Sequence, residues 1–239
     1  MVIQYDGTEY LGWQLQKKGR TVQGTIENAL IGISNDQGRI IVHGSGRTDT
    51  GVHALAQVAH IDFNTKLKVQ DIKNALNSNL PQDCRIINVE KVNRNFHSRF
   101  DAKKRYYRYQ CYSGESILYG NQCWMHTKID IQCLNRLAGQ LIGNQDFLSF
   151  SKYRKEMKNT ICEVFHSEWS FEDNMFIFRI SANRFLHHMI RYLVGTMIAV
   201  CEQRFTELEF QFLLNNPKKN VRIFKAPPQG LILEKINYV

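Results

Sequence analysis

Gly44-Ser45-Gly46-Arg47-Thr48-Asp49-Thr50-Gly51-Val52-His53 decides how the rest of the chain is read. Ile40-Ile41-Val42 precedes it, and a β-type run from Val52 to Ile61 follows. Two strand-forming runs around glycines and small hydroxyl residues predict a loop held between two strands. The glycines allow a tight turn and the close approach of a partner. The loop's one carboxylate, Asp49, sits among Arg47, Thr48 and Thr50. Two readings are open. Asp49 caps backbone N–H groups of a hairpin turn, or it is an exposed, positioned nucleophile or base.

Outward from the loop, the chain reads as two halves, 1–101 and 102–239. In the first, Val2 to Tyr5 predicts a short strand ending at Asp6-Gly7. Thr21 predicts the cap of a helix reaching about Ser34, with Val22, Ile26, Leu30 and Ile33 as its stripe. Strands are expected at about 39–43 and 55–63, then a helix capped by Asp71 with Ile72, Ala75 and Leu76 inward, then a strand from Arg85 to Val92. That series suits a sheet with helices on one face.

The second half predicts a strand from Arg105 to Ser113. A helix capped by Asp130 follows, with Ile131, Leu134, Leu137 and Leu141 as its stripe and Gly143 as its stop. Strands at about 161–171 and 175–182 turn at Asp173-Asn174. A long helix spans about Arg184 to Gln203, a short one Thr206 to Leu214, and a strand from Leu231 to Tyr238 closes the chain. No Pro/Gly/Ser linker divides the halves, so they are expected to share one continuous sheet.

With 31 Lys+Arg against 22 Asp+Glu, the 239 residues carry a formal charge of +9. Such an excess favours a polyanionic partner, nucleic acid first. The cysteines at 84, 111, 123, 133, 162 and 201 form no Cys-x-x-Cys pair, which predicts neither a zinc site nor a redox motif but isolated buried thiols in a reducing compartment. No run has the length of a membrane span and no signal peptide is visible, so a cytoplasmic protein is expected.

In Lys103-Lys104-Arg105-Tyr106-Tyr107-Arg108-Tyr109, alternation puts Arg105, Tyr107 and Tyr109 on one face and Tyr106 and Arg108 on the other. Cations interleaved with rings suit phosphates and bases, and amphipathic tyrosines also suit a core strand. On charge alone, phosphate contacts are expected from Lys17, Lys18, Arg20, Lys103 and Lys104, with Arg154 or Lys158. On the long helix, Arg184, His188 and Arg191 fall on one face. Met189, Ile190, Leu193 and Met197 form its buried side. His187 and His188 are neighbours that point in different directions with no carboxylate to complete a ligand set, so no metal is expected.

Gly46-Arg47-Thr48-Asp49-Thr50-Gly51-Val52-His53-Ala54 resembles the Gly-Arg-Thr-Asp-x-Gly-Val-His-Ala signature of the bacterial tRNA pseudouridine synthase A family. Tyr5-Asp6-Gly7-Thr8 with Gly12-Trp13-Gln14 is similar to its opening, and Thr21-Val22-Gln23-Gly24 with Glu27 to its first helix. Phe96 to Ala102 and Ala226 to Leu231 match further family segments. The resemblance implies an α+β pseudouridine synthase fold: two ferredoxin-like (RNP-like) halves sharing a mainly antiparallel sheet, with helices packed on it. It implies an isomerase of tRNA processing that converts uridines 38, 39 and 40 of the anticodon stem-loop, needs no cofactor, and works as a homodimer.

By the same resemblance Asp49 is nucleophile or base, Tyr107 the catalytic tyrosine, Arg191 the partner of Asp49, and Arg47 the residue that fills the space left by the extruded base. Gly195 follows Arg191 in the same helix and is expected to allow close helix packing. Two departures stand out. Cys162 replaces a usual arginine, which is expected to alter a surface contact, and the first strand is abbreviated, which is expected to weaken a sheet edge. Two other readings remain: a non-catalytic RNA-binding protein, and a hydrolase using Asp49 with His43 or His53.

Overall fold

Capping and alternation resolve into a mixed α+β chain in the computed structural model, which describes residues 1–34, 38–126, 129–155, 157 and 159–239. In chain order the elements are β1 (Val2–Tyr5), α1 (Val22–Ile31), β2 (His43–Gly44), β3 (His53–His60), α2 (Val69–Asn79), β4 (Cys84–Asn88), β5 (Lys104–Ser113), β6 (Trp124–His126), α3 (Ile131–Gly139), β7 (Gly143–Asp146), β8 (Ile161–Glu172), β9 (Met175–Ala182), α4 (Met189–Cys201), α5 (Glu207–Asn215) and β10 (Leu231–Asn237). They form two units, Met1–Lys103 with Ile232–Val239, and Lys104–Leu231.

In the first unit the strand order is β4-β1-β3-β10, with β2 added on β3. β1 runs antiparallel to β3 and β4, while β10 runs parallel to β3 with Ile232 opposite His53. The short β1 therefore lies inside the sheet, not at an edge as its brevity suggested. Its Ile3 and Tyr5 side chains are buried, and strands on both sides satisfy its backbone. Thr21 caps α1 by accepting from Gly24 N–H at 3.3 Å, and Val22, Ile26 and Leu30 are fully buried. α2 starts ahead of the Asp71 signal, at the Lys68 cap, leaving Asp71 in the first turn where the helix dipole favours an anion. The strand expected over 39–43 shrinks to β2. Ile40 and Val42 are buried, but Val42 N–H is taken by Glu27 Oε1 at 3.1 Å instead of a strand partner.

The second unit is ordered β5-β9-β8-β7, with β6 parallel to β5. β8 and β9 turn at Asp173 and Asn174, both left-handed (φ 48° and 63°), as a two-residue hairpin requires. Asp130 caps α3 by accepting from Gln132 N–H and Cys133 N–H. α3 ends at Gly139, so Leu141 is buried from beyond the helix. Thr206 and Glu209 close a capping box on α5.

Three expectations change in this unit. α4 begins at Met189 because His188 is left-handed (φ 64°), so Arg184 and His188 precede the helix and share no helical face with Arg191. Cys133 and Cys201 are joined, linking α3 to α4, so these two are not isolated thiols, whereas Cys84, Cys111, Cys123 and Cys162 are free and buried. Cys162 makes no surface contact: it sits in β8 with its thiol pushed to about 12 by burial.

Candidate active site

The Asp49 loop has no ladder of its own, so its backbone groups find partners one at a time. Ser45 N–H donates to Val58 O at 2.8 Å, and Gln57 Nε2 donates to Gly46 O at 2.9 Å. Thr48 is held twice, its carbonyl by Trp13 N–H at 3.1 Å and its hydroxyl by Tyr5 OH at 2.8 Å. Val52 N–H closes the turn on Asp49 O at 3.2 Å, and Gly51 N–H reaches Tyr10 O at 3.3 Å. Gly12 (φ +88°) is needed here, because a Cβ on it would stand 2.6 Å from Thr48 O. Asp49 is half-buried at this turn and Arg47, on the same loop, is exposed.

His53 anchors the far end of the loop. Its Nδ1 accepts from Gly7 N–H at 3.0 Å. Asp6 Oδ1 lies 3.1 Å from the same nitrogen, but that oxygen already accepts from the Thr8 N–H and hydroxyl, so the acceptor role of Nδ1 stands. The Tyr5-Asp6-Gly7 and Gly12-Trp13 segments thus act as a cradle for the loop. Sequence motifs flagged these segments without showing this task. The inward alternation of Tyr5 and Gln57 was the signal available.

On the second unit, Tyr107 and Arg191 are both interior, 8% and 7% exposed. Tyr107 lies in β5 opposite Ile180, its ring edge-on to Phe185 at 5.2 Å. Arg191 sits in the first turn of α4, and its Nε donates to Ala226 O at 2.9 Å while Ala226 N–H returns a bond to Arg191 O. Gly195 brings α4 against that same segment: a Cβ there would stand 2.5 Å from Phe224 O and 2.6 Å from Ala226 N. The close packing it permits is to a segment outside any helix or strand, not to a helix. Tyr109 donates to Pro227 O at 2.8 Å. Burial pushes its phenol well above the usual 10, against the pull of nearby Arg191. Ala226 to Leu231 is therefore the strap on which Arg191 and Tyr109 are fixed.

The expected phosphate ligands divide by surroundings. Lys17, Lys18 and Lys103 are exposed on the first unit, and Arg154 is exposed on the second. Lys104 is half-buried, its ammonium 4.5 Å from the Phe165 ring and 5.3 Å from that of Tyr106. Arg20 instead grips Asp83 with two bonds of 2.6 Å and stacks over Tyr10 at 4.2 Å. Lys158 lies outside the described residues.

A family model described as tRNA pseudouridine synthase matches residues 1–101 and 137–239. The tRNA pseudouridine synthase A of Chlorobium limicola is 39% identical over 241 residues, covering 99% of this chain and 97% of that protein. The protein of the same name from Ruminiclostridium cellulolyticum is 35% identical over 242 residues, covering 100% and 98%. A chain from the crystal structure of a Cbf5-Nop10-Gar1 complex superposes with a TM-score of 0.42 at 10% identity, over 97% of this chain and 47% of that one. Among the described residues no helix is long and apolar enough to cross a membrane.

Proposed function

The chain belongs to the tRNA pseudouridine synthase family, and on that premise we propose that it converts uridines 38, 39 and 40 of the tRNA anticodon stem-loop to pseudouridine, with Asp49 as nucleophile or base. The N1–C1′ bond breaks, the uracil turns, and C5 joins C1′; C5 gives up its proton and N1 gains one. Atoms balance with no redox step and no transferred group, so the reaction calls for no cofactor.

One observation carries this reading: the backbone on both sides of the Asp49 side chain is clamped, at Thr48 O, Asp49 O and Gly51 N–H. A carboxylate that attacks C1′, or takes a sugar proton on a glycal route, has to be held at its working distance. Arg191 supplies the partner cation that orients that carboxylate. Tyr107 stacks on the extruded uracil. A paired target must first be unstacked, at a cost of a few kcal/mol, and Arg47, exposed on the loop, fills the vacated space. Lys17, Lys18, Lys103 and Lys104, with Arg154, meet phosphates, while the charge of Arg20 is already met by Asp83. The working form is a cytoplasmic homodimer.

Asp49→Asn tests the assignment. Tritium release from tRNA carrying 5-tritiated uridine is expected to vanish, with tRNA affinity held within a few-fold. Near-normal release refutes it. A wild-type chain that binds tRNA but yields no carbodiimide adduct by primer extension would favour the RNA-binding reading over the enzyme.

A further inference from the structure

The first unit carries a second cluster of titratable side chains. Pairing of β2 with β3 sets His43 opposite His60, and their rings lie 16° from parallel with centroids 4.9 Å apart. His97 packs edge-on against His60 at 4.6 Å. One ring nitrogen of each falls within 4.8 Å of the others. His43 is exposed and the other two are half-buried, so the cluster opens to solvent.

Buried polar groups organise it. Ser98 is 0% exposed, and its hydroxyl donates to His43 O at 2.6 Å while lying 2.9 Å from His60 Nδ1. Tyr238 OH donates to Ser98 O at 2.7 Å. His97 Nδ1 accepts from Arg99 N–H at 3.1 Å and Phe100 N–H at 3.3 Å.

That last contact selects the ligand. A metal-bound histidine offers a lone pair on one nitrogen and donates from the other. In His97 two backbone N–H groups occupy the Nδ1 lone pair, so the proton sits on Nε2, and the nitrogen it presents is a donor. Three N–H donors meeting one oxygen at about 2.9 Å stand roughly 4.7 Å apart. Three ligands on one zinc at about 2.0 Å stand roughly 3.3 Å apart. The 4.8 Å envelope admits both, and the wiring of His97 rejects the second. The rings of His43 and His60, 16° from parallel, with His97 inclined at 61° to His60, also suit a ligand with several oxygens, each taking its own donor.

The charged and titratable groups at the cluster are Asp62 and the α-amino group of Met1 at His60, and the Asp101 carboxylate, which accepts from His97 N–H. Burial, His97 and His43 lower the His60 pKa, and Asp62 raises it. An anion among the rings favours the charged form of an imidazole beside it.

We propose that His43, His60 and His97 form a phosphate site, gated by a proton on the exposed His43, that grips a backbone phosphodiester of tRNA. The proposal rests on tRNA as the substrate. Free inorganic phosphate offers the same oxygens, and the arms of the test separate the two sources.

The test measures tRNA affinity of the full chain by fluorescence anisotropy at about pH 5.5 and about pH 8, across a salt series. Wild type is expected to bind about fivefold or more tighter at the lower pH, and His43→Gln/His97→Gln to lose most of that gain. At the lower pH the variant's slope of log K against log salt falls by about 0.7–0.9 for one phosphate lost; at the higher pH it matches wild type. In turnover, KM at low pH rises and kcat is kept. His43→Gln alone, at the exposed ring, shifts affinity in the same direction by less.

Equal pH dependence and salt slope in wild type and variant overturn the proposal. So does inorganic phosphate that saturates the ring resonances at millimolar concentration while the variant's tRNA affinity stays at wild type, and so does stoichiometric Zn²⁺ retained through gel filtration. A chain that shows the pH-dependent tRNA affinity but forms no pseudouridine supports this site and removes the catalytic assignment instead.

Discussion

The two units hold their proposed catalytic side chains by opposite means. On the first, Asp49 rides on irregular backbone, and its place is set by single hydrogen bonds from Tyr5, Tyr10, Trp13, Gln57 and Val52. On the second, Arg191 rides on a helix whose residues from Met189 to Val200 are nearly all buried, with Ala226 the strap on its guanidinium. A loop fixed by many separate bonds yields locally when one is removed. A helix fixed by packing has nowhere to yield, because packed interiors resist even one added carbon. Damage on the first unit should therefore appear in turnover before stability, and damage on the second in stability.

Arg191→Leu is the sharpest exception to that rule, and the largest effect expected after Asp49→Asn. If Arg191 has the proposed role, removing its cation should cut tritium release on the order of 100-fold or more. A drop in Tm should accompany the lost rate, because leucine leaves Ala226 O without its buried Nε donor. A wild-type rate would remove Arg191 from the site.

Two glycines then test the comparison directly. Gly195→Ala puts a Cβ 2.5 Å from Phe224 O, and the helix cannot retreat. It should cost about 2–3 kcal/mol by overpacking, read as a drop in Tm. Gly12→Ala puts a Cβ 2.6 Å from Thr48 O at φ +88°, but here the loop can shift. Its turnover should fall several-fold or more for a cost nearer about 1–2 kcal/mol. If Gly12→Ala loses stability while keeping its rate, the contrast between the units is wrong.

What could be read from the chain was local. Thr21, Asp130 and Thr206 cap helices because a side-chain oxygen meets an N–H two or three residues on, chemistry that spacing reveals. Asp173-Asn174 was equally plain. The start of α4 was not, because Phe185 and Leu186 continue the apolar pattern and Leu186 is buried outside the helix; only the left-handed His188 ends it. β7 reads Gly-Asn-Gln-Asp and owes its pairing to β8 alone. Cys133 and Cys201 meet across 68 residues, where spacing says nothing. For the proposed catalytic roles, the family motifs pointed to Asp49, Tyr107 and Arg191. It could not show that Gly12 and Trp13 serve Thr48, or that Ala226 serves Arg191, because those contacts join segments far apart in sequence.

The smallest effect expected concerns how the approach to the Asp49 loop is held. Glu27 is buried and accepts from Arg39 Nε at 2.7 Å, Gln23 Nε2 at 2.8 Å and Val42 N–H at 3.1 Å. Burial opposes its charge, but these donors more than offset burial, and the carboxyl stays below its ordinary 4.5. A depressed pKa stabilises the fold fully above the unfolded value and loses that contribution as pH falls through the folded one. Glu27→Gln should therefore lower Tm near neutral pH by about 2–4 °C, and the gap to wild type should close as the pH falls below the ordinary 4.5 and through the depressed folded value. Amide exchange should quicken first at Val42, with amides of the second unit unchanged. A gap that stays constant with pH would mean that Glu27 contributes packing and not charge, and that the 39–42 segment is held by its buried Ile40 and Val42, in the manner of the second unit.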